Sequence, residues 1–226
     1  MQAVLNPAIP GGMKTGWNFR PMTRTNNDKI DQGEDSALCA LIRHISNYTG
    51  MEISLSERNQ LLQAVKIKKL RKRQYLLQEG DICRSVSFVI KGALRMFSVN
   101  ERGHEAILSF GLENCWVSDK ESLSLQSPSH YNIEALEQTL VLQLYATQLD
   151  MLQETIPALA ELAKMQDREQ AIATQKRIHA AISMNAEERY HDFLISHPNY
   201  AQRFSQNMIA AYLGIKPETL SRVRRR

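Results

Sequence analysis

Near the C-terminus, the stretch QNMIAAYLGIKPETLSRVRRR, residues 206–226, groups side chains suited to gripping a polyanion. Gln206, Lys216, Glu218, Thr219, Ser221, Arg222, Arg224, Arg225 and Arg226 are the candidate DNA-contacting residues. A recognition helix puts its early outward side chains on base edges and lets basic ones hold phosphates, which suits this set. The intervening apolar residues define the elements that must position them. Ile209 and Leu213 are four apart and share a helical face, and the small Ala210 lets a second helix cross close by. Gly214 ends the first helix, Ile215 plugs the turn, and Pro217 suits the first position of the second, where a missing N–H costs nothing. Leu220 and Val223 give that second helix its buried face. The pattern is that of a helix-turn-helix. A plain αα-hairpin with a basic tail accounts for the apolar spacing, but not for its coincidence with the turn glycine and the arginine-rich face.

The 226 residues are enough for one large or two small domains, each with its own core. The net charge of +4 is mild, but from residue 201 onward Arg203, Lys216, Arg222, Arg224, Arg225 and Arg226 face a single acid, Glu218. Positive charge is thus expected to collect where phosphates would be met. Cys39, Cys83 and Cys115 are odd in number and widely spaced, with no CxxC, which points to reduced cytoplasmic thiols and to neither a disulfide framework nor a zinc site. No apolar run of spanning length and no charged-then-apolar leader occurs, which argues against membrane insertion and secretion.

Residues 1–35 are interrupted by Pro7, Pro10, Gly11, Gly12, Gly16 and Pro21 and read as a flexible extension, with Trp17 and Phe19 able to dock only as isolated aromatics. Helical spacing starts near Ser36 with Leu38, Leu41, Ile42 and Ile45, and resumes from Leu55 to Val65 behind the capping residue Ser54. The run KIKKLRKR, Lys66 to Arg73, reads as a solvated edge that discourages strand pairing; binding of nucleic acid or an anion is the other reading. From Tyr75 to Leu144 the period falls to two. Tyr75–Leu77, Val86–Ile90, Ala93–Val99, Ala106–Phe110, Tyr131–Leu136 and Leu140–Leu144 are predicted strands, an antiparallel roll or jelly roll. Glu113 to His130 breaks the period, and a pocket would lie there. Residues 147–184 then show helical spacing in which Pro157 must start or kink a helix. No heptad frame is clean, because Gln166, Glu169, Lys176 and His179 intrude, so the spacing by itself favours a surface helix over a coiled coil. Asn185 resembles the cap of a new helix, with Glu187 and Glu188 in its first turn.

The fold class expected is α+β: lead-in helices and an N-terminal antiparallel β-roll over 36–146, a long connecting helix over 147–184, and a C-terminal all-α helix-turn-helix domain over 185–226. The segments LLQEGD, FVIKGALRMF, NCWVSDKESL…PSHYNIEALE and IAAYLGIKPETLSR together resemble the Crp/Fnr family of bacterial transcription regulators, over about residues 36–226. The resemblance implies a cyclic-nucleotide-binding-type roll as sensor, dimerisation through the long helix, and double-stranded DNA as partner of a homodimer. It also implies base reading by Glu218 and Arg222: a carboxylate can accept from cytosine N4, and an arginine can bond guanine O6 and N7 together.

The chain departs from the family in three places. Nucleotide-binding members hold the ribose with Gly-Glu and the cyclic phosphate with Arg followed by Ser or Thr. By position these pairs are here Ser118-Asp119 and Ser129-His130, so the guanidinium is missing and cyclic AMP is not the expected effector. Trp116, Asp119, Ser129, His130 and Tyr131 are instead expected to line a pocket for an unknown small molecule, with core packing and turn hydrogen bonds as their plainer roles. Oxygen-sensing members carry a cysteine cluster ahead of the roll, where only Cys39 stands, so no iron–sulfur cluster is expected. The sequence given ends three residues after Val223, without the β-hairpin wing of well-known members, and Pro217 stands where they place an arginine before Glu-Thr; the Arg224 to Arg226 tail is expected to supply phosphate contacts instead. No catalytic residue, metal ligand or cofactor is assigned. A cupin-type metalloenzyme would need an HxH cluster with a later Glu and His, and His104-Glu105 lacks those partners. A regulator with a degenerate sensor and no effector is the nearer alternative.

Overall fold

Leucine and isoleucine at helical spacing open the computed structural model, which describes residues 32–225. Residues 1–31 and Arg226 fall outside it, and with them the readings made for Trp17, Phe19, most of the N-terminal extension and the last arginine. Helix α1 (Gln32–Thr49) begins four residues ahead of Ser36, and α2 (Leu55–Ala64) follows. Ser54 caps α2 in a capping box with Glu57: each side chain bonds the other's backbone N–H. Such a cap is worth about 1 kcal/mol.

The roll contains β1 (Lys66–Leu70), β2 (Tyr75–Leu77), β3 (Ser85–Lys91), β4 (Leu94–Val99), β5 (Glu105–Gly111) and β6 (Trp116–Val117). After α3 (Lys120–Leu125) come β7 (Asn132–Ala135) and β8 (Thr139–Tyr145). The pairings are antiparallel and form two four-stranded sheets, ordered β1-β8-β3-β6 and β2-β7-β4-β5. The six strands predicted from the period of two are present; β1, β6 and α3 are additions. Lys66–Leu70, read as a charged run ahead of the first strand, is itself an edge strand on β8. Lys66 and Lys69 are exposed and Lys68 is half-buried on this open edge, a charged placement that discourages further pairing.

Alternation along the strands sorts side chains into three cores. Val89, Leu94, Ile133, Ala135 and Val141 fill the space between the sheets. Phe88, Leu142 and Leu144 point the other way and meet α1, α2, α4 (Ala146–Thr155) and the start of α5 (Pro157–Ser183) through Leu38, Leu41, Ile45, Leu152 and Leu159. Phe97, Ile107 and Phe110, on the outer face of the second sheet, meet the C-terminal helices. Gly92 takes φ 101°, and a Cβ there would stand 2.5 Å from Thr139 Oγ1, so glycine is required at the β3–β4 turn.

The connecting segment is two helices rather than one. Pro157 occupies the first turn of α5, and fully buried Ile156 marks the break from α4. Helix α5 has 27 residues, about 40 Å at ~1.5 Å each. Its first half packs on α1 and the roll. Beyond Asp167 it is exposed as far as His179, with Ile172 at 46 %, Ile178 at 55 % and Ile182 at 79 % exposure.

Candidate functional site

Helices α6 (Ala186–Ser196), α7 (Tyr200–Arg203), α8 (Gln206–Leu213) and α9 (Pro217–Val223) form the C-terminal unit. Asn185 caps α6 and completes a capping box with Glu188, while Ser205 caps α8 through Met208 N. Gly214 ends α8 at φ 65°, the left-handed conformation in which a Cβ is strained, and Ile215 N then bonds Ala210 O at 3.0 Å. Pro217 starts α9. Ile209, Ala210 and Leu220 are buried between α8, α9 and Phe193 of α6, so the turn is fixed by packing as well as by hydrogen bonds.

That packing turns Lys216, Glu218, Arg222, Arg224 and Arg225 to solvent, with Gln206 exposed at the start of α8. Thr219 and Ser221 are half-buried. Glu218 and Arg222 lie one turn apart, yet no ion pair joins them among the described residues; Arg222 Nη2 instead stands 3.5 Å from Thr219 Oγ1, a contact at the limit of hydrogen bonding. The guanidinium of Arg222 is therefore free to leave for a stronger partner.

Arg203 does not belong to this outward set, contrary to the charge count from residue 201. Its guanidinium makes a bidentate pair with Glu113 at 2.8 and 2.9 Å and also bonds Glu137, which ties α7 to the roll. The paired carboxylates hold Arg203 well above its ordinary pKa, and Glu113 is correspondingly lowered. A second tie comes from α5, where Arg177 donates to Leu108 O, to Ile107 O at 2.7 Å and to Tyr212 O at 2.9 Å, with its guanidinium 4.3 Å from the Tyr212 ring centre. Phe110 of β5 stacks on Phe204 at 3.9 Å between ring centres. Neither arginine is marked by local spacing, because their partners lie far away in the sequence.

In the roll, the side chains of Asp119 and Ser129 come together, Tyr131 joins them only through its backbone, and Trp116 and His130 do not. Asp119 and Ser129 are each only 3 % exposed. The Asp119 carboxylate caps α3, accepting from Glu121 N and Ser122 N, and its other oxygen takes the Ser129 hydroxyl at 2.6 Å. Ser129 Oγ in turn accepts from Tyr131 N. His130 is exposed, and Tyr131 is half-buried. Trp116 faces the helices, 5.2 Å from Phe88 between ring centres, and its buried indole N–H has no partner among the described residues. A cavity of about 140 Å³, which none of the five candidates lines, is bordered by Leu77, Cys83, Ser85, Ser87, Val117 and Ser118. Drug-sized ligands occupy about 300 to 1,000 Å³.

The three cysteines are dispersed: Cys39 on α1, Cys83 in the roll interior, and Cys115 between β5 and β6. An iron–sulfur cluster takes four thiolates, so three scattered thiols do not fit one. No group of three His, Cys, Asp or Glu able to hold a metal occurs among the described residues.

A jelly roll joined through α4 and α5 to a helix-turn-helix is the layout of a one-chain transcription regulator, and comparison with known proteins agrees. The cyclic nucleotide-binding domain matches residues 67–155. The chain is 33 % identical to the transcriptional activator protein anr of Pseudomonas aeruginosa over 69 % of this chain and 68 % of that one. It is 31 % identical to the fumarate and nitrate reduction regulatory protein of Vibrio cholerae, over 74 % and 71 %. The structure of FixK2 from Bradyrhizobium japonicum superposes with a TM-score of 0.62 at 20 % identity, covering 71 % of this chain and 83 % of that one. The chain belongs to the Crp/Fnr family of transcription regulators.

Proposed function

We propose that the chain acts as a cytoplasmic homodimer that binds specific double-stranded DNA through α9, and that it is not an enzyme. The observation that carries this reading is the exposure of Glu218 and Arg222 on α9, with Lys216, Arg224 and Arg225 exposed at its two ends, while Leu220 of the same helix is buried. Glu218 and Arg222 read base edges. Lys216, Gln206, Thr219, Ser221, Arg224 and Arg225 hold or approach the backbone, and Arg226, outside the described residues, extends that set.

Dimerisation is supported by the exposed isoleucines of the C-terminal half of α5, since Ile172, Ile178 and Ile182 leave large apolar surface in water. A genome-wide binding footprint tests the whole reading: it should return two-fold symmetric sites with half-site centres about 10 bp apart. Asymmetric or unenriched footprints would refute it. Ile178→Asp should convert the dimer to a monomer in light scattering and abolish operator binding at the same concentration; an unaltered dimer would show that the interface lies elsewhere.

The effector, where there is one, is not cyclic AMP. Position 129 offers a hydroxyl rather than a guanidinium, and that hydroxyl is already committed to Asp119. Each charge-assisted hydrogen bond lost removes about 1.5 to 3 kcal/mol, which moves a micromolar ligand toward millimolar. Calorimetry with cyclic AMP or cyclic GMP should therefore detect no micromolar binding. The internal Asp119–Ser129 bond also favours a second reading, in which the sensor has no effector. Thermal-shift measurements against nucleotides and metabolites separate the two: stabilisation by any of them supports the first.

A further inference from the structure

We propose that the ion-pair clamp on Arg203 makes the roll a specificity element: by fixing the start of α8, Glu113 and Glu137 set the half-site spacing that the dimer accepts. The inference rests on the DNA-binding reading above and adds to it residues that act without contacting a base. The covalent connection by itself leaves the spacing open. Between α5 and α6 the chain runs through Met184 and Asn185 in extended conformation, with ψ 143° and 176°, a short joint about which the C-terminal helices can swing as a body. Side-chain contact with the roll removes that freedom, and it holds α8 near both ends. Toward the C-terminus of α8, Arg177 joins Tyr212 O to β5. Just ahead of its N-terminus, Glu113 and Glu137 grip Arg203. The eight residues of α8 rise about 12 Å. Two anchors that far apart fix the direction of a helix, whereas one leaves it a pivot.

The clamp suits direction more than strength. An isolated, half-exposed ion pair contributes little. Here the Arg203 guanidinium meets Glu113 through two bonds, at 2.8 and 2.9 Å, and a bidentate fork fixes the planes of both groups. Glu113 is itself anchored, since its Oε1 accepts from Gly92 N at 2.8 Å and the next residue, Asn114, bonds Val89 O through its N–H at 2.9 Å. Glu137 comes from the connection between β7 and β8, so two separate loops of the roll converge on one guanidinium. The neighbouring ring contact does not set direction. Phe110 stacks on Phe204 with 12° between the planes, and hydrophobic contact is non-directional, so the rings can slide.

DNA geometry turns this rigidity into selectivity. One base pair added between two half-sites moves them apart by about 3.4 Å and rotates one by about 34 to 36° around the duplex axis. A recognition helix on a rigid mount then misses its base edges, whereas one on a pivot follows them.

The test uses the full chain and duplexes carrying the footprinted operator at its own spacing, with one base pair added and with one removed, beside a random duplex. Binding is compared for the parent, Glu113→Gln/Glu137→Gln, Arg203→Gln and Arg222→Ala. The parent should bind the altered spacings at least about tenfold more weakly than its own, and in both clamp variants that ratio should fall to about threefold or less. The two clamp variants change net charge in opposite directions, so a shared flattening is not an effect of charge. Glu113→Gln keeps an oxygen for Gly92 N, and Arg203→Gln alters only the α7 side, so misfolding of one variant leaves the other to decide. Arg203→Lys, which keeps the charge but loses the fork, should also be flattened. A clamp that only stabilises would lower affinity at every spacing and leave the ratio alone. That outcome, alongside operator-specific loss in Arg222→Ala, would overturn the proposal and leave the DNA-binding reading intact, as would a parent indifferent to spacing. A rise in preference for operator over random DNA in both clamp variants would show that the clamp restrains binding, and the proposal falls. Failure of the parent to prefer the operator over random DNA would overturn both.

Discussion

Arg222→Ala is expected to weaken binding to the operator by about 1 to 3 kcal/mol while leaving affinity for random DNA nearly unchanged. The selectivity follows from geometry. A bidentate arginine–guanine contact carries sequence information, and the loss of one is felt only where the guanine stands at the right step. The structure removes the main competitor, since Arg222 forms no ion pair with Glu218 and holds Thr219 only at 3.5 Å. Arg225→Ala should behave differently: it should weaken binding to all sequences alike and reduce the salt slope by about one. Both variants are measured on operator and random duplexes over a salt series. Equal losses on the two DNAs for Arg222→Ala would remove that residue from the base-reading set.

The second large effect is expected at Arg177, far from the recognition helix. Its guanidinium bonds two carbonyls of β5 and one near the end of α8, where helical carbonyls lack intrahelical partners. Charge-assisted hydrogen bonds of this kind are worth about 1.5 to 3 kcal/mol each, less where water competes, and the residue as a whole is exposed. Arg177→Ala should therefore weaken the attachment of the helix-turn-helix to the roll by about 2 to 4 kcal/mol. Hydrogen exchange should report it as faster exchange across α8, with the strands between the sheets unaffected. Arg177→Lys keeps the charge but loses the planar fork, and should recover only the smaller part. Unchanged exchange in α8 would show that Phe110, Phe204 and Arg203 hold the unit without Arg177.

The helix-turn-helix was legible because its signals are local: apolar spacing, turn glycine and proline all fall within 21 residues, whereas the Ser205 cap just ahead of them was not read. The strands from Tyr75 onward were legible because their inner faces repeat every second residue. β1 escaped that test for a physical reason. Ile67 packs toward the helices and Leu70 into the roll, so each face of this lysine-rich strand shows a single apolar residue and no alternation emerges. The break between α4 and α5 was half legible: Pro157 marked it, but only packing shows Ile156 as the buried joint. Arg203 and Arg177 were not legible as ties at all, since their partners lie 66 to 90 residues away for Arg203 and 35 to 70 for Arg177. The sensor lies between these extremes. Family position marked Asp119 and Ser129 as the residues to watch, but not that they would bond each other.

That bond between Asp119 and Ser129 ties the two positions together, so that neither side chain can be exchanged alone without loss. Replacing Ser129 with arginine alone would set a guanidinium beside a buried carboxylate that already caps α3, and the two would neutralise each other before any phosphate arrived. Changing Asp119 alone would strip the helix cap and leave the serine hydroxyl only its longer contact to Tyr131 O at 3.1 Å. Either change by itself is a loss, so a guanidinium free to hold a phosphate at position 129 would require a second, coordinated change at position 119.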